Sequence, residues 1–298
     1  TRFTHDFHLI FVLISVNLCL SCGLNFLKEI FMKKIDYHLH SSFSEDCIIE
    51  MREMVEGAIK AGVNILCFTE HKDFDYPHEE FTFHLDNEAY TKRFLELREI
   101  YKKDITLYRG VEMGLQKHIL KEVDDFVKVG NYDFVIGSQH CVDNKELYYK
   151  TYFQGKTMKE IFRGYYDELL YNITNFNNFD VVGHLDLIRR YSDEAVAFNF
   201  HEVMDRVEVI LRKLISDGKG IEVNAGGFFY PTAMTNPHPS ILKLYKELGG
   251  EIITYGSDAH VPQKIGANYE RTMDILKEAG FRYISYFADR KVEFERIR

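Results

Sequence analysis

A short apolar run closed by a histidine or an acid recurs along this chain, and that repeat limits what the chain can fold into. Six segments carry it: the run ending in His38-Leu39-His40, then Phe68-Thr69-Glu70-His71, Tyr108-Arg109-Gly110-Val111-Glu112, Ile136-Gly137-Ser138-Gln139-His140, Val181-Val182-Gly183-His184 and Tyr255-Gly256-Ser257-Asp258-Ala259-His260. Their polar ends lie roughly thirty to forty residues apart as far as His184, about the length of one strand–helix unit, and the step from His184 to Asp258 spans about two. Side chains alternate along an extended segment, so His38 and His40 leave the same face of theirs.

The stretches between these runs have helical spacing. Met51, Met54, Val55, Ala58 and Ile59 form a stripe over residues 49–61 that Gly62 closes. Tyr90, Phe94, Leu97 and Ile100 form another over residues 87–101. Further helices are expected over 119–129, stopped by Gly130, over 157–176, over 200–215, from Pro237 and Pro239 to Leu248, and around 273–279, stopped by Gly280. Strands are expected over 63–68, 105–111, 133–136, 179–182, 221–224 and 252–255, with a last apolar run at 283–287. Residues 72–85 read as an aromatic, acidic loop and residues 141–155 as a tyrosine-rich one. A strand–helix alternation repeated about seven or eight times predicts a parallel sheet, and the count predicts a closed α/β barrel. In such barrels functional groups collect at the carboxyl ends of the strands. The scattered histidines and acids are therefore expected to meet at one mouth.

No composition break follows residue 32, so residues 32–298 are expected to form one domain. The first 31 residues read differently. Residues 9–20 are apolar, with Asn17 as the only strongly polar member, as in a secretory leader. The preceding residues, however, carry only Arg2, His5 and His8 against Asp6, Leu20-Ser21-Cys22 is a poor cleavage signal, and the run is short for a membrane span. Met32-Lys33-Lys34-Ile35-Asp36 has the form of a natural start, and residues 1–31 are expected to be an extension outside the fold. A formal charge of −9 argues against a nucleic-acid surface. Five cysteines, at 19, 22, 47, 67 and 141, lack disulfide or zinc-ribbon spacing, and reduced thiols in a cytoplasmic protein are expected. The barrel itself is expected to bind no membrane, and its oligomeric state is left open.

Five to six imidazoles and several carboxylates at strand ends are more than one zinc needs, since a catalytic zinc takes about three protein ligands and a water. A site for two or three cations follows. Mixed nitrogen and oxygen donors suit zinc, manganese or iron better than calcium or magnesium. Paired cations that clamp the attacking and leaving oxygens of a phosphoryl group make phosphate-ester hydrolysis the first expectation. Amide hydrolysis and deamination are open to the same donors.

The set His38-x-His40, Asp46, Thr69-Glu70-His71, Glu112, Ser138-Gln139-His140, Gly183-His184 and Ser257-Asp258-Ala259-His260 resembles the polymerase-and-histidinol-phosphatase (PHP) superfamily, from about Met32 to the end of the chain. Gly137-Ser138-Gln139-His140 and the run from Gly183 to Arg189 most resemble its stand-alone histidinol-phosphatases. The resemblance implies a distorted, TIM-like barrel of seven strands that holds up to three divalent metals. It implies that His38, His40 and Asp258 hold one metal, that Glu112 bridges to a second completed by His140 and His184, and that Asp46, His71 and His260 hold the third. The residues alone do not choose between Glu45 and Asp46; the family position eight residues past the first histidine selects Asp46. Catalytic roles fall on Glu112, Asp258 and His260, and substrate contacts on Arg189 or Arg190 and on Asn224. An arginine that the family often has after the sixth strand is missing from Asn224-Ala225-Gly226-Gly227-Phe228. The implied activity is hydrolysis of L-histidinol phosphate, in histidine biosynthesis, by a hydroxide shared between cations. The alternatives are another phosphoesterase of the superfamily, acting on a nucleotide, a sugar phosphate or phosphotyrosine, and a non-enzymatic metal-binding module. Two points stay open: Glu112 as a partner of Arg109 instead of a bridge, and Glu222 as a group facing the site or one supporting it.

Overall fold

A computed structural model describes the chain from residue 32 to residue 298, and the extension expected over residues 1–31 falls outside the described residues. The chain enters through β1 (Ile35–Asp36), then α1 (Met51–Lys60), β2 (Ile65–Asp73), α2 (Asn87–Tyr101), β3 (Thr106–Gly114), α3 (Leu120–Gly130) and β4 (Phe134–Ser138). A small antiparallel pair, β5 (Cys141–Val142) and β6 (Lys145–Glu146), stands where sequence reading expects a loop. The order continues with α4 (Met158–Asn175), β7 (Val181–Val182), α5 (Asp193–Ala197), α6 (Met204–Ser216), β8 (Gly220–Asn224), α7 (Pro239–Glu247), β9 (Ile253–Gly256), α8 (Tyr269–Glu278), β10 (Tyr283–Ala288) and β11 (Lys291–Arg296).

Seven strands form one parallel sheet in the order β1-β2-β3-β4-β7-β8-β9. The segments leaving β1 and β9 then join its two edges. Tyr37 N–H donates to Tyr255 O at 2.9 Å, Asp258 N–H to His38 O at 2.8 Å and His40 N–H to Ala259 O at 3.0 Å. This seam makes the sheet a distorted barrel and brings the end of the chain against its beginning.

Local chemistry accounts for most boundaries. Thr157 and Glu160 form a reciprocal capping box that starts α4. Asp86 caps α2 by accepting from Glu88 N and Ala89 N. Gly130 is the last helical residue of α3, not its stop; Asn131, at φ +50°, provides the left-handed cap instead. Residues Phe200–Val203 form a 3₁₀ turn, so the regular helix expected from residue 200 starts at Met204. The helix expected around residue 273 begins earlier, at Tyr269. The last apolar run does not add a strand to the barrel. It pairs with β11 as a hairpin whose turn, Asp289-Arg290, has φ +47° and +62°, the double positive φ of a tight type I′ turn.

That hairpin covers the end of the barrel where the strands begin. Tyr37 donates its hydroxyl to Phe287 O at 2.5 Å. Phe134 packs between Tyr37 and Phe287, 5.1 Å from each ring centre. Arg290 reaches the Asp180 carboxylate at 2.6 Å. The opposite end, where the strands finish, is left for polar groups. Among the described residues no helix is long and apolar enough to cross a membrane.

Candidate metal centre

The seam that closes the barrel gathers the first donors. His38 and His40 project from the exit of β1 with their Nε2 atoms 3.1 Å apart. The exit of β9 adds Asp258, whose Oδ1 lies 3.6 Å from His38 Nε2 and 3.5 Å from His40 Nε2. Asp258 holds φ +56°, a conformation that short polar side chains tolerate best.

Glu112, at the end of β3, occupies the middle of the site and is fully buried. Its two oxygens face different imidazoles. Oε2 is 3.1 Å from His38 Nε2 and 3.0 Å from His71 Nδ1. Oε1 is 2.9 Å from His184 Nε2 and 3.2 Å from His140 Nε2, and it accepts the Ser138 hydroxyl at 2.6 Å. Register explains the meeting: His71 of β2 and Glu112 of β3 are direct partners in the ladder, and Glu112 in turn partners Ile136 of β4. A third group lies nearer the mouth, where Asp46 Oδ2 is 3.2 Å from His260 Nε2 and 3.5 Å from His71 Nε2. The His40 ring stacks between His71 and His260, at 4.1 and 4.4 Å. All nine residues expected as ligands therefore converge.

These donors satisfy one another only in part. His38 and His40 aim nitrogen at nitrogen. His184 Nδ1 is buried without a hydrogen-bond partner, and His71 Nδ1 sits close to Glu112 without hydrogen-bond geometry. Overlapping triads such as His40–His71–His260, His38–His184–Asp258 and Glu112–His140–His184 each bring three donor atoms within 4.8 Å. The set fits two to three divalent cations, which is what imidazole and carboxylate donors in this number bind. The electrostatics agree. Burial disfavours charge throughout, yet Glu222, Glu112 and Asp258 together hold the His38 imidazole well above its usual range. Burial, with His71 and His260 alongside, pushes His40 down to about 3. Burial likewise works against an ionised Glu112, but His38, His71 and His140 outweigh it and keep the carboxylate well below its usual range.

Behind the donors stand carboxylates that orient them. Glu222 Oε1 lies 2.7 Å from His38 Nδ1, and its Oε2 accepts His184 N–H at 2.8 Å. A carboxylate only accepts, so Nδ1 carries a proton toward Glu222 and Nε2 is the nitrogen turned to the centre, where a bound cation would replace any proton. Asp73 does the same for His140, at 2.7 Å from Nδ1. Glu70 is turned away from the centre and accepts Ser41 N–H at 3.0 Å and the Ser44 hydroxyl at 2.7 Å. Glu222 is thus a support. Arg109 bonds Asn87 and the carbonyls of Gly130 and Asn131 and leaves Glu112 to the histidines. Asp73 was missed in the sequence, although His71-x-Asp73 repeats the one-residue spacing of His38-x-His40 on a strand.

A cavity of about 440 Å³ opens over this cluster and reaches His71, His140, His184, Asp258 and His260. Of the two candidate arginines, Arg190 lines it; Arg189 bonds Asp186 at 3.3 Å and is outside the lining. Arg190 Nη1 is 3.1 Å from Asp258 Oδ2 and Nη2 is 3.1 Å from Asn224 Oδ1. Asn224 stands behind that pair, where it also donates to Glu222 at 3.2 Å and accepts Gly226 N–H at 2.9 Å. Lys264 and the rings of Tyr76, Phe81, Phe83, Tyr149 and Tyr230 complete much of the wall.

Donor sets of this kind at the carboxyl end of a barrel activate water against esters and amides, and fold and centre together put the chain among the metal-dependent hydrolases. Within that class it belongs to the PHP domain family, whose model matches residues 36–226. It is 33% identical over 266 residues to a histidinol-phosphatase of Lactococcus lactis, across 88% of this chain and 97% of that protein. It is 29% identical over 263 residues to a probable histidinol-phosphatase of Clostridium acetobutylicum, across 87% and 98%. The crystal structure of the histidinol phosphate phosphatase from L. lactis, in complex with zinc, L-histidinol and phosphate, matches with a TM-score of 0.82 at 32% identity, over 88% of this chain and 100% of that one.

Proposed function

We propose that this protein is a cytoplasmic histidinol-phosphatase that hydrolyses L-histidinol phosphate to L-histidinol and phosphate, a step of histidine biosynthesis. The observation that carries the reading is the arrangement around Glu112, with one carboxylate oxygen toward His38 and His71 and the other toward His140 and His184. It supports Glu112 as the link between two cation positions, in a chain that spans nearly the whole length of a histidinol-phosphatase relative.

His38, His40 and Asp258 would hold one cation, His140 and His184 a second, and Asp46, His71 and His260 a third. When bound, zinc, manganese or iron supplies a water acidic enough to attack phosphorus near neutral pH and positive charge for the phosphoryl oxygens. The chain's own groups do the rest. Arg190 lines the cavity with a guanidinium fixed by Asp258, Asn224 and Asn236, and its charge suits a phosphoryl oxygen. Asp258 couples that grip to the donors: its Oδ1 faces His38 and His40 while its Oδ2 holds Arg190. Asn224 fixes the other edge of the guanidinium. Glu222 and Asp73 each hold an Nδ1 proton, of His38 and His140, and so turn Nε2 of both rings to the centre. His260 lines the cavity beside Asp46.

Metal analysis of protein purified without chelator, joined to steady-state kinetics, tests the reading. Two to three equivalents of metal and a kcat/KM for L-histidinol phosphate far above those for a nucleotide, a sugar phosphate and phosphotyrosine are expected. A nucleotide preferred by several decades would replace it with a different phosphoesterase.

A further inference from the structure

The segment between β2 and α2 is a strap of aromatic residues, and it is tied down at three points. At its start, Gln116 donates to Phe74 O at 3.0 Å and Asp75 O at 3.2 Å, and His118 Nε2 lies 2.7 Å from the Asp75 carboxylate. At its tip, the His78 ring stacks on Tyr149 of the loop after β6, 4.5 Å apart and 12° from parallel. At its end, Glu45 gathers the backbone: its carboxylate accepts Thr82 N–H at 2.7 Å, the Thr82 hydroxyl at 2.6 Å, Phe83 N–H at 3.0 Å and His84 N–H at 3.4 Å.

These bonds hold Phe83 at φ +42°, which a side chain with a Cβ adopts reluctantly. The result is that its ring meets His71 edge-on at 5.1 Å and packs with Tyr76 at 4.9 Å and Phe81 at 5.7 Å. Tyr76, Phe81, Phe83 and Tyr149 line the same cavity as Arg190. The cavity thus has two chemistries. Cation donors and Arg190 suit the phosphoryl group. Ring faces suit a planar or positively charged organic part, through stacking and cation–π attraction.

We propose that Glu45 is a positioning residue: by pinning the strap it sets how tightly the leaving alcohol, and not the phosphate, is recognised. This deepens the histidinol-phosphatase reading and rests on it. Glu45 and Asp46 are neighbours with separate tasks, since Asp46 turns to His71 and His260 while Glu45 turns to the strap.

The test compares Glu45→Ala with the metal-loaded wild type, reading KM and kcat for L-histidinol phosphate, inhibition by L-histidinol and by inorganic phosphate, and metal per chain. The KM and the L-histidinol inhibition constant are expected to rise about tenfold, while phosphate inhibition and metal content stay within about twofold. Glu45→Gln, which keeps one acceptor oxygen, should rise less. Thr82→Val, which removes the hydroxyl bond to Glu45 and lies outside the cavity lining, should give the same split at smaller size, and it carries the test if Glu45→Ala does not fold. Phosphate inhibition that weakens as much as L-histidinol inhibition, loss of metal, or an unchanged KM would each overturn the proposal. Wild-type turnover is read first: an inactive, metal-loaded wild type counts against the functional reading, whereas variants that match an active wild type count against the strap alone.

Discussion

Glu112 has two oxygens, and each is committed to a different pair of imidazoles. Removing it does more than delete one donor, because the two halves of the centre lose their shared anion while the buried histidines remain. Glu112→Ala is expected to lower metal content and to reduce kcat by at least about a hundredfold, judged by metal analysis and steady-state rates on the same preparation. Full activity in that variant would refute the bridging role. Asp73 belongs to the same scale. It holds His140, faces His71 at 3.8 Å and stays out of the cavity lining, so Asp73→Ala should weaken metal retention by about 10–100-fold, read by competition with a chromogenic chelator, and should leave the fold intact. Gly256 is constrained by what surrounds it. A Cβ there would stand 2.0 Å from Glu222 Oε1 and 2.4 Å from His38 Cβ. Gly256→Ala must push Glu222 off His38, and a loss of about 1–3 kcal/mol in denaturant unfolding is expected, together with weaker metal binding.

At the scale of elements, the sequence carried most of the barrel because its helices have apolar stripes and its strands begin apolar. Residues 87–101 have the bounds of α2, with Tyr90, Phe94 and Leu97 buried. The reading ran short where strands turn polar. β2 continues through Thr69-Glu70-His71-Lys72-Asp73, every residue buried, but nothing in that run looks like a core strand. It is held by the ladder to β3 and by Ser41 and Ser44 on Glu70, contacts that come from distant parts of the chain. The candidate ligands were legible because all but Asp46 close an apolar run, whereas Asp46 came from its family position in a polar loop; Glu222 was legible only as an acid, since its task depends on His38 lying across the barrel. The β10–β11 hairpin was hidden for a related reason: its first strand resembles the barrel strands, and only the Asp289-Arg290 turn separates it from them. The hairpin's own contribution can be measured. Arg290 lies on Asp180, a carboxyl that burial pushes above its usual range against the pull of Arg290. Arg290→Ala leaves that acid with Val135 N–H as its remaining donor. A loss of about 1–3 kcal/mol in unfolding free energy is expected, with kcat unchanged, because the pair sits at the end of the barrel away from the centre.

At the scale of the whole molecule, the candidate ligands come from the exits of β1, β2, β3, β4, β7 and β9 and from the loop that carries Asp46. Cations held there would cross-link nearly every strand of the barrel, including the seam where His38 and Asp258 close it. Binding that exists only in the folded state adds stability as the logarithm of free metal over its dissociation constant, about 2.7 kcal/mol at a hundredfold excess. For a chain of this size each kcal/mol moves the melting temperature by about 2–4 °C. Dialysis against a chelator is therefore expected to abolish turnover of L-histidinol phosphate and to lower the melting temperature by about 5–10 °C, with both restored by zinc or manganese. The two readouts separate the roles of the cations. If turnover disappears while the melting temperature holds, the metals serve chemistry and the strand ends are secured by Glu222, Asp73 and the seam alone. If both fall together in the wild type but Glu112→Ala no longer responds to chelator, the cross-link runs through Glu112, as the bridge proposed for its two oxygens expects.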